Sequence, residues 1–211
     1  MSPALADELF LITLDFQTGK CKLPDPALGI GLSAALLSEL VFSGSLVVGE
    51  EKLHVGEYPP PADRLTETLF EQTRNDLYRQ DLTICEWLAA HRRLVTDLVT
   101  DRMVRADEIR RSQVKRLGRT SVRYFPTKPA EAFIRVQRLS SYLRTRIEVS
   151  AADALLAALA ELVTASKPLL DLDESDREYL GQLVPLLPQP LREVLDSTET
   201  AVVAAMRNPN S

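Results

Sequence analysis

The residues Ile84, Trp87, Leu88, His91, Leu94, Val95 and Leu98 follow one another at steps of three or one. That spacing gathers all seven on one broad face of an α-helix and is incompatible with the two-residue alternation of a half-buried strand. The same rhythm returns in Leu5, Leu9 and Ile12, in Leu32, Leu36, Leu37, Leu40 and Val41, and in Leu65, Leu69 and Phe70. Further helical stretches run from Ala130 to Leu143, from Ser150 to Ser166, from Asp173 to Val184, and from Pro190 towards Met206. Each apolar stripe needs another to bury it. The pattern therefore predicts an all-α fold with helices near Ala4–Leu14, Leu32–Phe42, Ile84–Met103 and Ser150–Ser166. Trp87, Leu94, Leu98, Leu36 and Leu40 are expected in the core, and His91 is expected as a packing histidine within its stripe.

The interruptions are as informative as the stripes. Ser2 and Pro3 suit the cap and first position of a helix, while Pro24 and Pro26 read as a connection. Ser45–Val48 and Lys52–Val55 flank Gly49-Glu50-Glu51, the pattern of a β-hairpin, with His54 on its surface. A second hairpin is expected over residues 114–125, turning near Gly118 and closed by Pro126 and Pro129. Pro59-Pro60-Pro61 marks a clear break before the helix that contains Leu65. Ser150 and Asp153 form a capping-box variant. With no repeat, low-complexity tract or flexible linker, residues 1–211 are expected to form a single domain.

Few catalytic chemistries fit. The two histidines, His54 and His91, stand in no recognisable acid–base constellation. Phosphate loops, dinucleotide fingerprints, zinc motifs and a nucleophile elbow are all missing, the last because Gly31-Leu32-Ser33-Ala34-Ala35 lacks its final glycine. The acidic run Asp171–Asp176 lacks the glycine and the distal Glu of a calcium loop, and reads as the acidic start of a helix. The expectation is a non-enzyme with no cofactor and no metal. Cys21 and Cys85 read as reduced packing thiols. Residues Met1–Glu8 do not resemble a signal peptide. The longest uncharged apolar run, Ala154–Ala160, is far below the roughly 18 residues that span a bilayer. A cytoplasmic protein that meets membranes from outside is expected.

The net charge of −5 conceals a strong sorting of charge. Arg102–Arg146 holds 13 Lys or Arg against Asp107, Glu108 and Glu131, so these 45 residues carry +10 and the remainder −15. Arg110, Arg111, Lys115, Arg116, Arg119 and Arg123 alternate with Val114, Leu117, Val122, Tyr124 and Phe125. Strand alternation places Arg123 on the face opposite Val122 and Tyr124. Cations mixed with a few apolar side chains on a projecting hairpin suit an anionic lipid interface. A nucleic-acid reading, with a helix followed by a basic hairpin as in a winged helix, is the disfavoured alternative.

Several stretches in this order resemble the Golgi phosphoprotein 3 family, in particular its bacterial, actinobacterial-type members. They are Leu5-Ala6-Asp7-Glu8-Leu9-Phe10-Leu11-Ile12 through Gly19, Gly31–Leu40 with Gly44-Ser45-Leu46, Trp87-Leu88, Leu98-Val99, Tyr124-Phe125-Pro126 and Glu199–Ala205. The resemblance implies a helical bundle wrapped by amphipathic helices, with a projecting β-hairpin. It also implies a peripheral membrane adaptor for anionic lipid such as phosphatidylinositol 4-phosphate, with protein clients and self-association through the hairpin. The family's Trp and Arg headgroup positions fall here on Pro24, Ser33, Leu88 and His91. The headgroup candidates are His91, Arg92, Arg93, Arg110 and Arg111. The membrane hairpin comprises Val114, Lys115, Arg116, Leu117, Arg119, Val122 and Arg123. A protein–protein scaffold that oligomerises through the hairpin is a further alternative.

Overall fold

The structure, a computed structural model, describes residues 4–60, 62–116, 119–147, 149–164 and 168–207. In chain order its elements are α1 (Leu5–Thr13), α2 (Asp25–Phe42), β1 (Leu46–Gly49), β2 (Lys52–Val55), α3 (Arg64–Leu77) and α4 (Ile84–Arg105). These are followed by β3 (Ile109–Arg116), β4 (Arg119–Pro126), α5 (Pro129–Thr145), α6 (Ala151–Leu162), α7 (Glu174–Leu183) and α8 (Gln189–Arg207), with a 3-10 turn at Val184–Leu186. The architecture is mainly α with two small antiparallel hairpins, as the stripes indicate. Ser2, Pro3 and Ser166 lie outside the described residues.

α2 is the central element and packs against α1, α3, α4, α6 and α8. It begins seven residues before the expected Leu32. Pro24 is extended, and Pro26 sits in the first turn, where the missing N–H would have no helical partner anyway. The glycines that blurred this start have a packing role. A Cβ on Gly29 would lie 2.2 Å from the carbonyl oxygen of Arg92, so α2 and α4 approach nearly backbone to backbone. At 18 residues and mean hydropathy 1.4, α2 is long and apolar enough to cross a membrane, which corrects the run-length argument above. It is nevertheless 78% buried within the protein, as a core helix is.

α4 starts at a capping box between Thr83 and Glu86. Its buried face is Ile84, Trp87, Leu88, His91, Val95, Val99 and Met103. Trp87 is fully enclosed, and its Nε1–H donates to Thr73 Oγ1 at 2.7 Å. Leu36 and Leu40 are fully buried as expected, and Leu98 is half-buried against the core. Leu94 is not a core residue: it is 40% exposed. Successive helical residues point about 100° apart, and burial settled on Val95 and Val99, leaving Leu94 on the flank.

The first hairpin turns on Glu50 and Glu51, both at positive φ, and His54 is exposed on β2. The second is longer than its sequence signal. Pairing begins at Ile109↔Pro126 and continues to Arg116↔Arg119, with Leu117 and Gly118 outside the described residues. Its root is fastened to the body. Tyr124 N–H donates to Gly19 O at 2.9 Å, and the Tyr124 ring meets Phe10 edge-on at 5.4 Å. Gly19 has φ +66°, and a Cβ there would stand 2.6 Å from the Phe125 ring. α7 is capped by Asp173 and Asp176 acting reciprocally, which accounts for the acidic run near residue 173.

Candidate anion-binding cleft

Folding uses much of the positive charge of residues 102–146 internally. Arg102 pairs with Asp7 and Asp63, Arg111 with Asp101, Arg135 with Glu8 and Glu108, Arg138 with Asp153, and Arg144 with Asp171. Arg146 lies over the Tyr179 ring at 4.6 Å and donates to Ser175. Part of the charge sorted along the chain is thus used in ion pairs that hold the basic segment to the acidic remainder.

Lysine and arginine side chains also line a cleft of about 880 Å³ at the root of the second hairpin. Lys20 comes from the α1–α2 connection, Arg92 and Arg93 from α4, and Arg123 from β4. Asp25 and Asp97 also line it, and Phe10, Leu23 and Leu28 provide an apolar part of its wall. Fold features already described position the backbone of these elements. The close α2–α4 approach at Gly29 sets the backbone of Arg92, and the Gly19–Tyr124 bond sets β4 against the connection carrying Lys20. Four cations from three elements around one concavity fit an anion with several oxygen acceptors, and planar guanidinium groups favour phosphate. Cys21 also lines the cleft, but burial pushes its thiol above the usual range, which keeps it neutral.

Of the sequence candidates, Arg92, Arg93, Val122 and Arg123 come together here. His91 does not: it is buried, stacked on Trp87 at 4.4 Å, with Nδ1 2.9 Å from the Trp87 carbonyl. Arg110 lies over the Phe125 ring and Arg111 over the Tyr124 ring, the latter 3.1 Å from Asp101. Neither lines the cleft. Val114 and Lys115 are exposed on the outer half of β3. Arg116 and Arg119 form the last backbone pair, and Leu117 is outside the described residues. Lys20, Asp25 and Asp97 were missed. They flank no motif, and only the fold brings residue 20 beside residues 92 and 123.

The positions inherited from the resemblance form no pocket. Ser33 and Leu88 are completely buried, as is His91 nearly so, and Pro24 is exposed outside the cleft lining. Among the described residues no group of three or more His, Cys, Asp or Glu could hold a metal.

Fold and site together define a mainly helical protein that carries a basic hairpin beside a cation-lined cleft. Residues 5–202 match the family model described as Golgi phosphoprotein 3 (GPP34), and the chain belongs to that family. No curated protein gives a significant match to it.

Proposed function

We propose that the protein is a non-enzymatic peripheral adaptor at the cytoplasmic face of a membrane, which recognises anionic lipid headgroups. The observation that carries this reading is the convergence of Lys20, Arg92, Arg93 and Arg123 on one cleft at the root of the hairpin. A phosphorylated headgroup of the phosphatidylinositol 4-phosphate kind would occupy the cleft, while Val114 and Lys115 on the outer hairpin meet the interface. Relative to the inherited positions Leu88 and His91, the arginines that bind have moved along α4 to Arg92 and Arg93. Each cation at an anionic surface contributes about 1 kcal/mol, so the four supply about 4 kcal/mol, roughly a thousandfold in affinity. That is reversible attachment, strengthened by apolar contact from the hairpin and weakened by salt. Family membership also supports protein clients and self-association through the hairpin.

The test is co-sedimentation with neutral vesicles, with phosphatidylserine vesicles and with vesicles containing phosphatidylinositol 4-phosphate. The parent is expected to pellet with the anionic vesicles. The triple variant Arg92→Gln, Arg93→Gln, Arg123→Gln should bind about a hundredfold more weakly, consistent with the loss of three such cations. Equal binding by parent and variant would remove the cleft from the mechanism. Displacement of the vesicles by duplex DNA would favour nucleic acid as the partner.

A further inference from the structure

The last turn of α4 holds a second charge cluster, buried and separate from the cleft. Arg102 donates to Asp7 Oδ1 through Nε at 3.1 Å and Nη2 at 2.8 Å. Its remaining nitrogen, Nη1, is 2.9 Å from Asp63 Oδ2 and 3.8 Å from Glu39 Oε2. The other Glu39 oxygen accepts the Ala6 N–H at 2.9 Å. The side chains of Asp7 and Glu39 are only 7% and 8% exposed and that of Arg102 13%, whereas Asp63 is 35% exposed. Three carboxylates, from α1, α2 and the cap of α3, thus share one guanidinium.

With all three ionised, the cluster would carry two uncompensated negative charges where water hardly reaches. Such a site sheds charge by taking up a proton. Glu39 is the carboxylate that makes no close bond to Arg102. The charged groups facing it are Asp7 from α1, Arg102 from α4 and Asp63 from the start of α3. β1, α6 and α8 also pack on α2, but their described residues give Glu39 no ion pair or hydrogen bond. Glu108 acts on Asp7 from the hairpin root and is itself held by Arg135 at 2.7 Å.

We infer that Arg102 is the shared bolt of a proton-gated latch, in which Glu39 and Asp63 compete for Nη1. While Glu39 is protonated, Nη1 stays on Asp63 and ties the N-terminus of α3 to the seam of α1, α2 and α4. When Glu39 loses its proton to water, the new buried charge draws Nη1 across. Asp63, the competitor that water can reach, then lets go. Burial holds the Glu39 carboxyl up at about 7, so the exchange would fall near neutrality. Asp63 also caps α3 through Thr66 N–H, and its release loosens the first turns of that helix.

The test is hydrogen exchange of the full chain at pH 6 and pH 8, with labelling times scaled for the intrinsic rate. Amides of Leu65–Phe70 are expected to lose up to about tenfold in protection at pH 8, the effect of one proton over about one unit. Glu39→Gln should keep the pH 6 protection at both values. Asp63→Asn, at a more accessible position, should show low protection that no longer depends on pH. Protection in the parent that is equal at both pH values overturns the latch. So does a Glu39→Gln or Asp63→Asn variant that follows the parent.

Discussion

Replacing Gly29 by Ala places a methyl group 2.2 Å from the carbonyl oxygen of Arg92. Ordinary contact needs about an ångström more, and the obstacle is backbone, so no rotamer can relieve it. α2 and α4 would have to separate along the central interface of the protein. In an open helix the same substitution would stabilise by about 1 kcal/mol, because Gly is the poorer helix former. Overpacking costs roughly 1–3 kcal/mol, occasionally more, and a rigid neighbour puts this site at the upper end. The net expectation is a destabilisation of about 2 kcal/mol, a fall in Tm of about 4–8 °C for a protein of this size. Gly181→Ala is the matched control. That glycine lies in α7 with nothing within 4 Å of a new Cβ, so the variant should gain up to about 1 kcal/mol. Thermal unfolding followed by circular dichroism reads both. If Gly29→Ala is as stable as the parent, or gains like Gly181→Ala, the close α2–α4 approach is refuted, and with it the seating of Arg92.

Three further outcomes follow from the same geometry. Leu88→Ala should cost about 2–5 kcal/mol because the side chain is fully buried, while Leu94→Ala should cost under about 1 kcal/mol; equal losses by denaturant titration would reverse the assignment of the α4 face. Burial raises the Asp7 carboxyl to about 6 and the Glu39 carboxyl to about 7, so between the ordinary carboxylate range and pH 7 the native state binds more protons than the unfolded chain. The stability from these two groups is therefore complete below about pH 4, is lost as pH rises through about 6 and 7, and is gone by about pH 8; a Tm at pH 5 no higher than at pH 8 in the parent would contradict this. Changing Lys115, Arg116, Arg119 and Arg123 together to Gln should weaken binding to anionic vesicles without lowering Tm, and Leu117→Asp should weaken it even at low salt if apolar insertion contributes.

The legible part of the fold was whatever local periodicity determines. Helical stripes, the capping signal at Ser150, the acidic helix start near Asp173 and both hairpins follow from neighbours within a few residues. The misplaced start of α2 came from reading Pro24 and Pro26 as a connection, when Pro26 takes a first-turn position and Gly29 a helix crossing. Leu94 was misassigned because a seven-residue stripe is wider than the face a partner helix can cover. The destination of the basic segment was illegible for a deeper reason. Arg102 meets Asp7 across 95 positions and Arg135 meets Glu8 across 127, and no local pattern encodes such pairs. The same holds for the cleft, where Arg92 and Arg93 stood out as cations but their companion Lys20 did not.

The central claim is that a phosphorylated headgroup sits among Lys20, Arg92, Arg93 and Arg123. Its most direct measurement is a two-dimensional amide NMR titration of the 15N-labelled protein with soluble glycerophosphoinositol 4-phosphate. The account predicts saturable shifts concentrated on residues 19–28, 92–97 and 121–124. An unchanged spectrum at high headgroup concentration, or shifts confined to residues away from those three segments, would contradict it.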